Sequence, residues 1–284
     1  MARRDDSPDF VEAIARGLDV IRVFKPGQPV MSLAAVAAAS DLPRPTARRI
    51  LLTLEQLGYV RQAESSGFEL TPRVLDLGMA YVLSRGLWEI ARPHMETLVA
   101  RTRESTSIAQ LDGSDIVYVA RVAVPKIVTL SVTIGTRFPA MQTSLGKVML
   151  AALPPAEAER VLAEPSRSGI TPPWRPDAVE RAAVLREVRA RGWALTDEQL
   201  APGIRSVAVP LRDGDGTVIA ALNVNSHAAE TPLDVLIGQH LPLLIQAAGA
   251  ISADWAACHG APQVTMTVGG SAGSGAAPVS EPSS

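Results

Sequence analysis

The sequence predicts an α+β protein with two domains: a small helical domain that ends in a β-hairpin, and a larger domain with a largely antiparallel sheet. The length of 284 residues suits two domains. The spacing of apolar residues and turn signals in the first 73 residues indicates helix, short helix, turn, helix and hairpin. Later strand patterns are joined by hairpin signals and flanked by helical patterns, which is typical of an α+β domain.

The composition favours a cytoplasmic protein with one or two packed cores. Hydrophobic residues make up 47% of the chain, but no run of about 18 apolar residues predicts a membrane span, so no membrane partner is expected. The charged N-terminus lacks the apolar stretch of a secretory signal. The single cysteine, Cys258, excludes a disulfide framework and a cysteine-rich zinc site. The net charge of -2 gives no general affinity for nucleic acid, so DNA binding would depend on local arginines.

The small domain, over residues 10–73, is predicted to contain three helices and a hairpin. Ser32 is a suitable N-cap for the second, short helix, and Gly58 ends the third. The third helix starts after a proline-containing turn, where proline is tolerated. The predicted elements are helices over residues 10–24, 33–39 and 44–57 and strands over residues 59–62 and 67–70. This is the order of elements in a winged helix-turn-helix.

The third predicted helix has an apolar face and a polar face. The residues expected to pack on the first two helices are Ala47, Ile50, Leu51, Leu54 and Leu57, and Leu52 does not fit this face. The residues outside it are Arg44, Thr46, Arg48, Arg49 and Thr53. Arginine donates two hydrogen bonds to guanine or neutralises phosphate, and a threonine near a helix start is placed to donate to phosphate. Arg61 on the hairpin is placed to contact an adjacent DNA backbone.

A solvated arginine face on an ordinary amphipathic helix is the alternative interpretation of these residues. The short helix before them and the hairpin after them favour a recognition helix, because together they complete the winged order. A winged helix that binds another protein instead of DNA is a further alternative, because the overall charge is nearly neutral.

The larger domain is predicted over residues 93–258, after a helical linker over residues 74–92. The helical pattern of residues 74–103 is interrupted near Gly86 or Pro93. The predicted strands cover residues 107–111, 115–122, 127–134, 204–211 and 217–225, and the predicted helices cover residues 144–153, 155–163, 177–191 and 233–255. Residues 259–284, rich in Gly, Ala, Ser and Pro, are predicted to be a disordered tail.

Three polar residues of the larger domain are candidates for binding a small organic acid. Ser144 opens a predicted helix, where free N–H groups attract a carboxylate. Asn223 and Asn225 alternate with apolar residues on a strand, so both amides point to one face. An apolar face with a few convergent polar groups suits such a ligand. The alternative is that Ser144 is only an N-cap and that the asparagines face solvent.

These motifs resemble the IclR (isocitrate lyase regulator) family over residues 10 to about 258. The segments that carry the resemblance are residues 15–18 (ARGL), 46–49 (TARR), 57–60 (LGYV), 70–75 (LTPRVL), 144–147 (SLGK) and 203–210 (GIRSVAVP). Residues 115–121 (DIVYVAR) and 221–224 (ALNV) are most similar to the subgroup that controls the breakdown of protocatechuate, hydroxybenzoate and related acids through β-ketoadipate.

The resemblance implies a transcription regulator with a GAF-like effector domain. It implies a homodimer formed through the DNA-binding domains, often assembled into a tetramer, on palindromic operators in double-stranded DNA. It also implies that a small acid is held by Ser144, Leu145, Thr196, Ser206, Asn223 and Asn225. Thr196 replaces an aspartate of the isocitrate-lyase-regulator type, and the two asparagines replace serines. These departures favour an aromatic or β-ketoadipate-type acid over glyoxylate or pyruvate.

An enzyme is the competing class of function. Ser144 and Lys147 match the S-x-x-K pattern of penicillin-recognising serine hydrolases, in which the lysine activates the serine. The S-D-N and K-T-G elements of those enzymes, a G-x-S-x-G motif and a phosphate-binding loop do not occur in the sequence. The four histidines lack metal-ligand spacing. We therefore predict no catalytic residue, metal or cofactor.

Overall fold

The structure, a computed structural model, describes residues 9–25, 27–63, 67–78, 86–125 and 132–260. The chain divides into two compact units, the first ending at Glu89 and the second beginning at Ile90. Each unit has its own hydrophobic core. Helices and antiparallel sheets occur in both units, which confirms the predicted α+β class.

Among its described residues, the first unit contains helices and a small sheet in the winged order. The elements are α1 (Glu12–Arg22), β1 (Val30–Met31), α2 (Leu33–Ala39), α3 (Arg44–Gln56), β2 (Val60–Gln62), β3 (Phe68–Leu70) and a 3₁₀ turn (Pro72–Val74). The strands pair antiparallel in the order β1-β3-β2. The predicted hairpin is present, and β1 was not predicted because two residues carry no readable alternation.

The ends of α2 and α3 follow local rules that the sequence signals. The side chain of Ser32 accepts a hydrogen bond of 3.2 Å from the N–H of Ala35 and caps α2. After α3, Gly58 adopts a φ of +78°, a conformation that glycine adopts without strain. The residues that fill the core between the helices are Val20, Val36, Ala37, Ala47, Leu51 and Leu54.

The predicted apolar face of α3 is wrong at one position, Leu57. Leu57 is 51% exposed instead of buried. The helix ends at Gln56, and Leu57 is its C-cap residue, so its side chain lies beyond the surface that packs on α1 and α2. Leu52, which did not fit the predicted face, is 36% exposed.

The second unit is built on a six-stranded sheet in which every neighbouring pair is antiparallel, in the order β6-β5-β4-β9-β8-β7. Its strands are β4 (Ser105–Asp112), β5 (Asp115–Val122), β6 (Arg137–Pro139), β7 (Ala194–Asp197), β8 (Ile204–Arg212) and β9 (Val218–His227). Its helices are α4 (Leu87–Thr102), α5 (Ser144–Ala152), α6 (Pro155–Leu162), α7 (Ala178–Arg191), α8 (Leu233–Val235) and α9 (Leu241–Gly260). A 3₁₀ turn (Ala140–Gln142) precedes α5, and a π-helical turn (Leu236–His240) joins α8 to α9.

Small residues on one face of the sheet allow α5 to lie close to it. Ala109, Ala194, Ala208 and Ala221 are fully buried in the same core as α5. By strand alternation, neighbouring residues such as Val207, Val209, Leu222 and Val224 point to the opposite face. Helix α9 packs against β8 and β9. The sheet is therefore covered by helices, and α5 is the helix nearest to the polar residues discussed below.

Several boundaries in the second unit differ from the sequence predictions. Helix α4 contains Pro93 without ending there, because Ala91, Met95 and Leu98 are buried and their packing outweighs the hydrogen bond that proline removes. Gly86, with a φ of +60°, does precede the helix. The short strands β6 and β7 were not predicted. Of the predicted strand over residues 127–134, residues 127–131 lie outside the described residues, and the remaining three are not strand.

Parts of the predicted linker and tail also lie outside the described residues, namely residues 79–85 and 261–284. One helical stretch among the described residues, Leu233–His259, is long and apolar enough to cross a membrane by length and composition. Those two properties alone are weak evidence for a span, and α9, which forms most of this stretch, packs along β8 and β9.

Candidate functional site

The first candidate site is the outward face of α3. Arg44, Arg48, Arg49 and Thr53 are exposed and Thr46 is half-buried, whereas Ala47, Leu51 and Leu54 hold the other face in the core. The hydroxyl of Thr53 donates to the carbonyl of Arg49 at 2.9 Å, which leaves its oxygen available mainly as an acceptor. The side chains of this face that are best able to donate hydrogen bonds to DNA are therefore its three arginines.

Arg61 is less available than the arginines of α3. It lies opposite Glu69 in the β2–β3 pairing, and its Nε donates to the Glu69 carboxylate at 2.6 Å. The Arg61 side chain is still 68% exposed, but a carboxylate already neutralises part of its charge. A phosphate would have to compete with that carboxylate.

Arg73 is an exposed cation that is not among the residues predicted to contact DNA. Its guanidinium lies 5.6 Å from the centre of the Tyr59 ring, which follows Gly58 at the end of α3. The Thr71 hydroxyl donates to the carbonyl of Gly58 at 2.5 Å and fixes this turn. In the sequence, Arg73 belongs only to the segment at residues 70–75 that carries the family resemblance, and the resemblance implies no role for that segment.

The second candidate site is a cavity in the second unit between α5 and the sheet. All six residues predicted to hold a small acid line this cavity. Its lining residues are Tyr118, Val132, Gln142, Thr143, Ser144, Leu145, Thr196, Leu200, Ile204, Ser206, Asn223 and Asn225. They come from β5, the segment before β6, the 3₁₀ turn, the start of α5, β7, the β7–β8 connection, β8 and β9.

A chain of hydroxyl groups crosses one side of the cavity. The Oγ atoms of Ser144 and Ser206 lie 2.5 Å apart, and the Oγ of Ser206 lies 3.0 Å from the Oγ1 of Thr196. Thr196 and Ser206 are direct partners in the β7–β8 pairing. All three side chains are buried. Each hydroxyl can donate or accept, so the chain can reorient its protons towards an anionic ligand.

The two asparagines differ in how firmly the structure holds them. Asn223 is buried, and its Oδ1 accepts the N–H of Ser107 at 3.0 Å. Its side-chain NH₂ group is therefore the part that can donate to a ligand. Asn225 is half-buried and lies opposite Ser206 in the β8–β9 pairing. Neither asparagine is exposed, so the alternative that both face solvent is wrong.

The start of α5 adds backbone donors to the cavity. Thr143, not Ser144, is the N-cap, because its Oγ1 accepts the N–H of Gly146 at 3.0 Å. Ser144 and Leu145 are the first two helical residues, whose N–H groups have no acceptor within the helix. A helix N-terminus favours negative charge. The Ser144 hydroxyl therefore does not cap the helix and takes part in the hydroxyl chain.

Apart from Gln142, the rest of the lining is apolar and aromatic. The Tyr118 ring packs edge-on against Phe138 at 5.8 Å, and burial raises the pKa of its phenol to about 12 while Arg121 acts in the opposite sense. The phenol is therefore a neutral group throughout the physiological range. Sequence patterns place Tyr118 on a strand, but they do not indicate which side chains from different elements enclose one space.

The cavity is small in this structure. It leaves about 20 Å³ for the centre of a water-sized sphere, which is room for about one water molecule. An aromatic ring fits only if the lining moves outward. The β7–β8 connection supplies Leu200 to the lining and Ile204 follows it at the start of β8, so this segment forms one wall.

The geometry does not support serine catalysis by Ser144 and Lys147. The Nζ of Lys147 donates to the carbonyl of Leu195 at 3.0 Å and to Oε1 of Gln199, whereas Ser144 bonds to Ser206. The lysine is therefore not placed to take a proton from the serine. Within the described parts of the chain, no cluster of three or more His, Cys, Asp or Glu side chains is arranged to hold a metal.

Comparison with known families and sequences gives consistent matches along the chain. Residues 13–64 match the IclR helix-turn-helix domain, and residues 79–253 match the bacterial transcriptional regulator IclR C-terminal domain. The chain is 35% identical over 241 residues to the Pca regulon regulatory protein of Pseudomonas putida, covering 84% of this chain and 82% of that protein. It is 32% identical over 241 residues to the p-hydroxybenzoate hydroxylase transcriptional activator of Acinetobacter baylyi, covering 83% and 89%.

Two solved structures extend these matches to three dimensions. A putative transcriptional regulator from Rhodococcus sp. RHA1 is 44% identical, with a TM-score of 0.77, covering 88% of this chain and all of that chain. The inducer binding domain of a double mutant of the PobR transcription factor from Acinetobacter, in complex with 3-hydroxybenzoic acid, is 31% identical with a TM-score of 0.53. That match covers 58% of this chain and 96% of the PobR domain.

Proposed function

We propose, from the premise that this chain belongs to the IclR family of bacterial transcriptional regulators, that it binds a palindromic operator in double-stranded DNA under the control of a small organic acid of the aromatic or β-ketoadipate type. The relatives are regulators and not enzymes. The acid of our proposal belongs to the class of protocatechuate, 4-hydroxybenzoate and β-ketoadipate, and the regulated genes act in aromatic-acid catabolism. The proposed location is the cytoplasm, where bacterial operators lie.

The observation that carries the effector proposal is that one cavity combines a corner suited to a carboxylate with an apolar surface suited to a ring. The corner combines the first N–H groups of α5 with the hydroxyls of Ser144, Thr196 and Ser206. Tyr118, Leu145 and Leu200 supply apolar surface for a ring. A site of this kind, apolar with a few convergent polar groups, holds and orients a small ligand.

Isothermal titration of the full chain with protocatechuate, 4-hydroxybenzoate and β-ketoadipate tests the effector. We expect at least one of these acids to bind and to change the affinity of the chain for its own upstream DNA. The two effects belong together, because an effector shifts operator binding only through its different affinity for the two conformations. If no acid binds, the proposed effector class is wrong. Operator binding in the absence of acid would still support the proposal that the chain is a DNA-binding regulator.

Replacing Ser206 by alanine is expected to weaken the binding of the acid at least about tenfold. The substitution removes the hydroxyl that links Ser144 to Thr196, and one hydrogen bond to a charged group contributes about 1.5–3 kcal/mol. Titration calorimetry measures the change. Ser252→Ala is the matched control, because Ser252 lies on α9 and its hydroxyl accepts the N–H of Arg212 instead of facing the cavity. Equal losses in both variants would contradict the proposed pocket.

The proposal includes a homodimer formed through the DNA-binding units, with a tetramer as the further assembly. One face of α1 supports it, because Val11, Ile14 and Leu18 are 56%, 63% and 50% exposed. These positions are three and four residues apart and form one apolar stripe. An apolar helix face of this kind suits a second copy of the same chain.

Leu18→Glu is expected to shift the chain from dimer towards monomer and to weaken operator binding, because it places a charge on the apolar stripe. Sedimentation velocity measures the first effect and gel shift the second. Ala13→Glu is the control, since Ala13 is exposed on the other side of α1. An unchanged dimer in Leu18→Glu would remove α1 from the proposed interface.

A further inference from the structure

Lys147 is a buried cation that the proposed function does not use. It is the fourth residue of α5 and only 2% exposed, and it is one of the largest fully buried side chains of the described chain. Ser144 and Leu145, which precede it on the same helix, line the cavity, but Lys147 does not. Lysine is rarely buried unless its charge is paired, so its partners are informative.

We propose that Lys147 is a positioning residue, which holds one wall of the effector cavity in place from behind by tying α5 to β7 and to the β7–β8 connection. The proposal rests on the function proposed above, because it concerns the affinity of the same cavity for its acid.

The hydrogen bonds of Lys147 end next to cavity residues. Its Nζ donates to the carbonyl of Leu195 at 3.0 Å, and Leu195 directly precedes Thr196. It also donates to Oε1 of Gln199, which directly precedes Leu200. One ammonium group thus connects a helix that supplies Ser144 with two segments that supply Thr196 and Leu200.

A third link runs through Trp174. The Nζ of Lys147 lies 4.9 Å from the centre of the Trp174 ring, a distance at which a cation is attracted to the ring face. The carbonyl of Trp174 accepts a hydrogen bond of 3.1 Å from Nε2 of Gln142, which also lines the cavity. From its place on α5, the lysine therefore reaches three other segments that enclose the ligand space: β7 and the β7–β8 connection directly, and the 3₁₀ turn through Trp174.

The charge of Lys147 changes near neutral pH. Burial, and to a smaller extent Arg191, lowers the pKa of its ammonium group to about 7, while Glu187 acts in the opposite direction. These two charged residues lie on α7. The contacts from β7, from the connection and from the segment before α7 are a carbonyl, an amide and an indole ring. Charge-assisted hydrogen bonds are the stronger ones, so the wall is held more firmly below pH 7 than above it.

Hydrogen exchange of the full chain at pH 6.5 tests the proposal without any ligand. In Lys147→Met, the amides of residues 195–204 are expected to exchange at least about tenfold faster, while those in β4 and β9 stay unchanged, because local opening costs less free energy when the tie is absent. Met149→Leu on the same helix is the control, since Met149 is buried and lies outside the cavity lining. Unchanged exchange in residues 195–204 would overturn the proposal.

Ligand affinity gives the second readout. With 4-hydroxybenzoate as the probe, Lys147→Met is expected to bind about tenfold more weakly than the wild type at pH 6.5, equivalent to about 1.4 kcal/mol. Wild-type affinity is expected to fall between pH 6 and 8.5, a range in which the carboxyl group of the probe stays ionised. Lys147→Met should lose this pH dependence.

Gln199→Glu separates positioning from simple loss of stability. It places a carboxylate next to the ammonium, which raises the pKa of Lys147 and should move the fall in affinity to higher pH. A pH profile that is the same in wild type, Lys147→Met and Gln199→Glu would contradict the proposal. If the wild type binds none of the three acids, the proposed effector fails instead, and the exchange experiment still decides the role of Lys147.

Discussion

Replacing Arg48 and Arg49 together by alanine is expected to abolish specific operator binding. Both side chains are exposed on α3, while Ala47 and Leu51 beside them are buried, so the double substitution leaves the core packing intact. A bidentate arginine contact to guanine contributes about 1–3 kcal/mol of discrimination. Loss of two such contacts predicts a decrease in affinity of about a hundredfold or more.

Gel shift and fluorescence anisotropy over a range of salt concentrations measure this loss. The slope of affinity against salt should become shallower by about one for each arginine that contacts phosphate. Arg160→Ala is the control, because Arg160 is 68% exposed on α6 in the other unit. Arg61→Ala should lose less than the double variant, since Glu69 already pairs with Arg61. Normal operator binding by the double variant would favour a protein-binding winged helix.

The outward face of α3 shows what local sequence patterns are able to predict. The 3.6-residue period placed α3 within one residue of its observed bounds and separated Arg48 and Arg49 from the buried Leu51 and Leu54. The period failed at Leu57, where the helix has already ended. A periodic pattern assigns a face to a residue only while the helix continues, and helix ends are set by the turn that follows.

The cavity shows where such patterns are insufficient. Alternation along β9 predicted that Asn223 and Asn225 share a face, and the helix start predicted the position of Ser144. Thr196 and Ser206 came from the family resemblance alone. Their contact depends on the register between β8 and the four-residue strand β7, and so short a strand has no distinctive pattern. Enclosure of one space by several elements is a tertiary property.

Gly146 lies at a point of the cavity region where the backbone leaves no space for a side chain. A Cβ built on Gly146 would lie 2.5 Å from the carbonyl carbon of Ala140 and closer still to its oxygen. These are backbone atoms of the 3₁₀ turn that leads into α5, and the same carbonyl accepts a hydrogen bond of 3.1 Å from the Thr143 hydroxyl. Rotation of a side chain cannot relieve the clash, so the turn and the helix must separate.

Gly146→Ala is therefore expected to destabilise the second unit by about 3 kcal/mol and to abolish acid binding, because Gln142, Thr143 and Ser144 lie on the displaced segments and line the cavity. Chemical denaturation and titration calorimetry measure the two effects. Gly249→Ala is the matched control, since Gly249 lies in α9 with open space around its Cβ position; alanine there should stabilise the helix by about 0.5–1 kcal/mol. Wild-type stability in Gly146→Ala would mean that α5 does not rest on this turn.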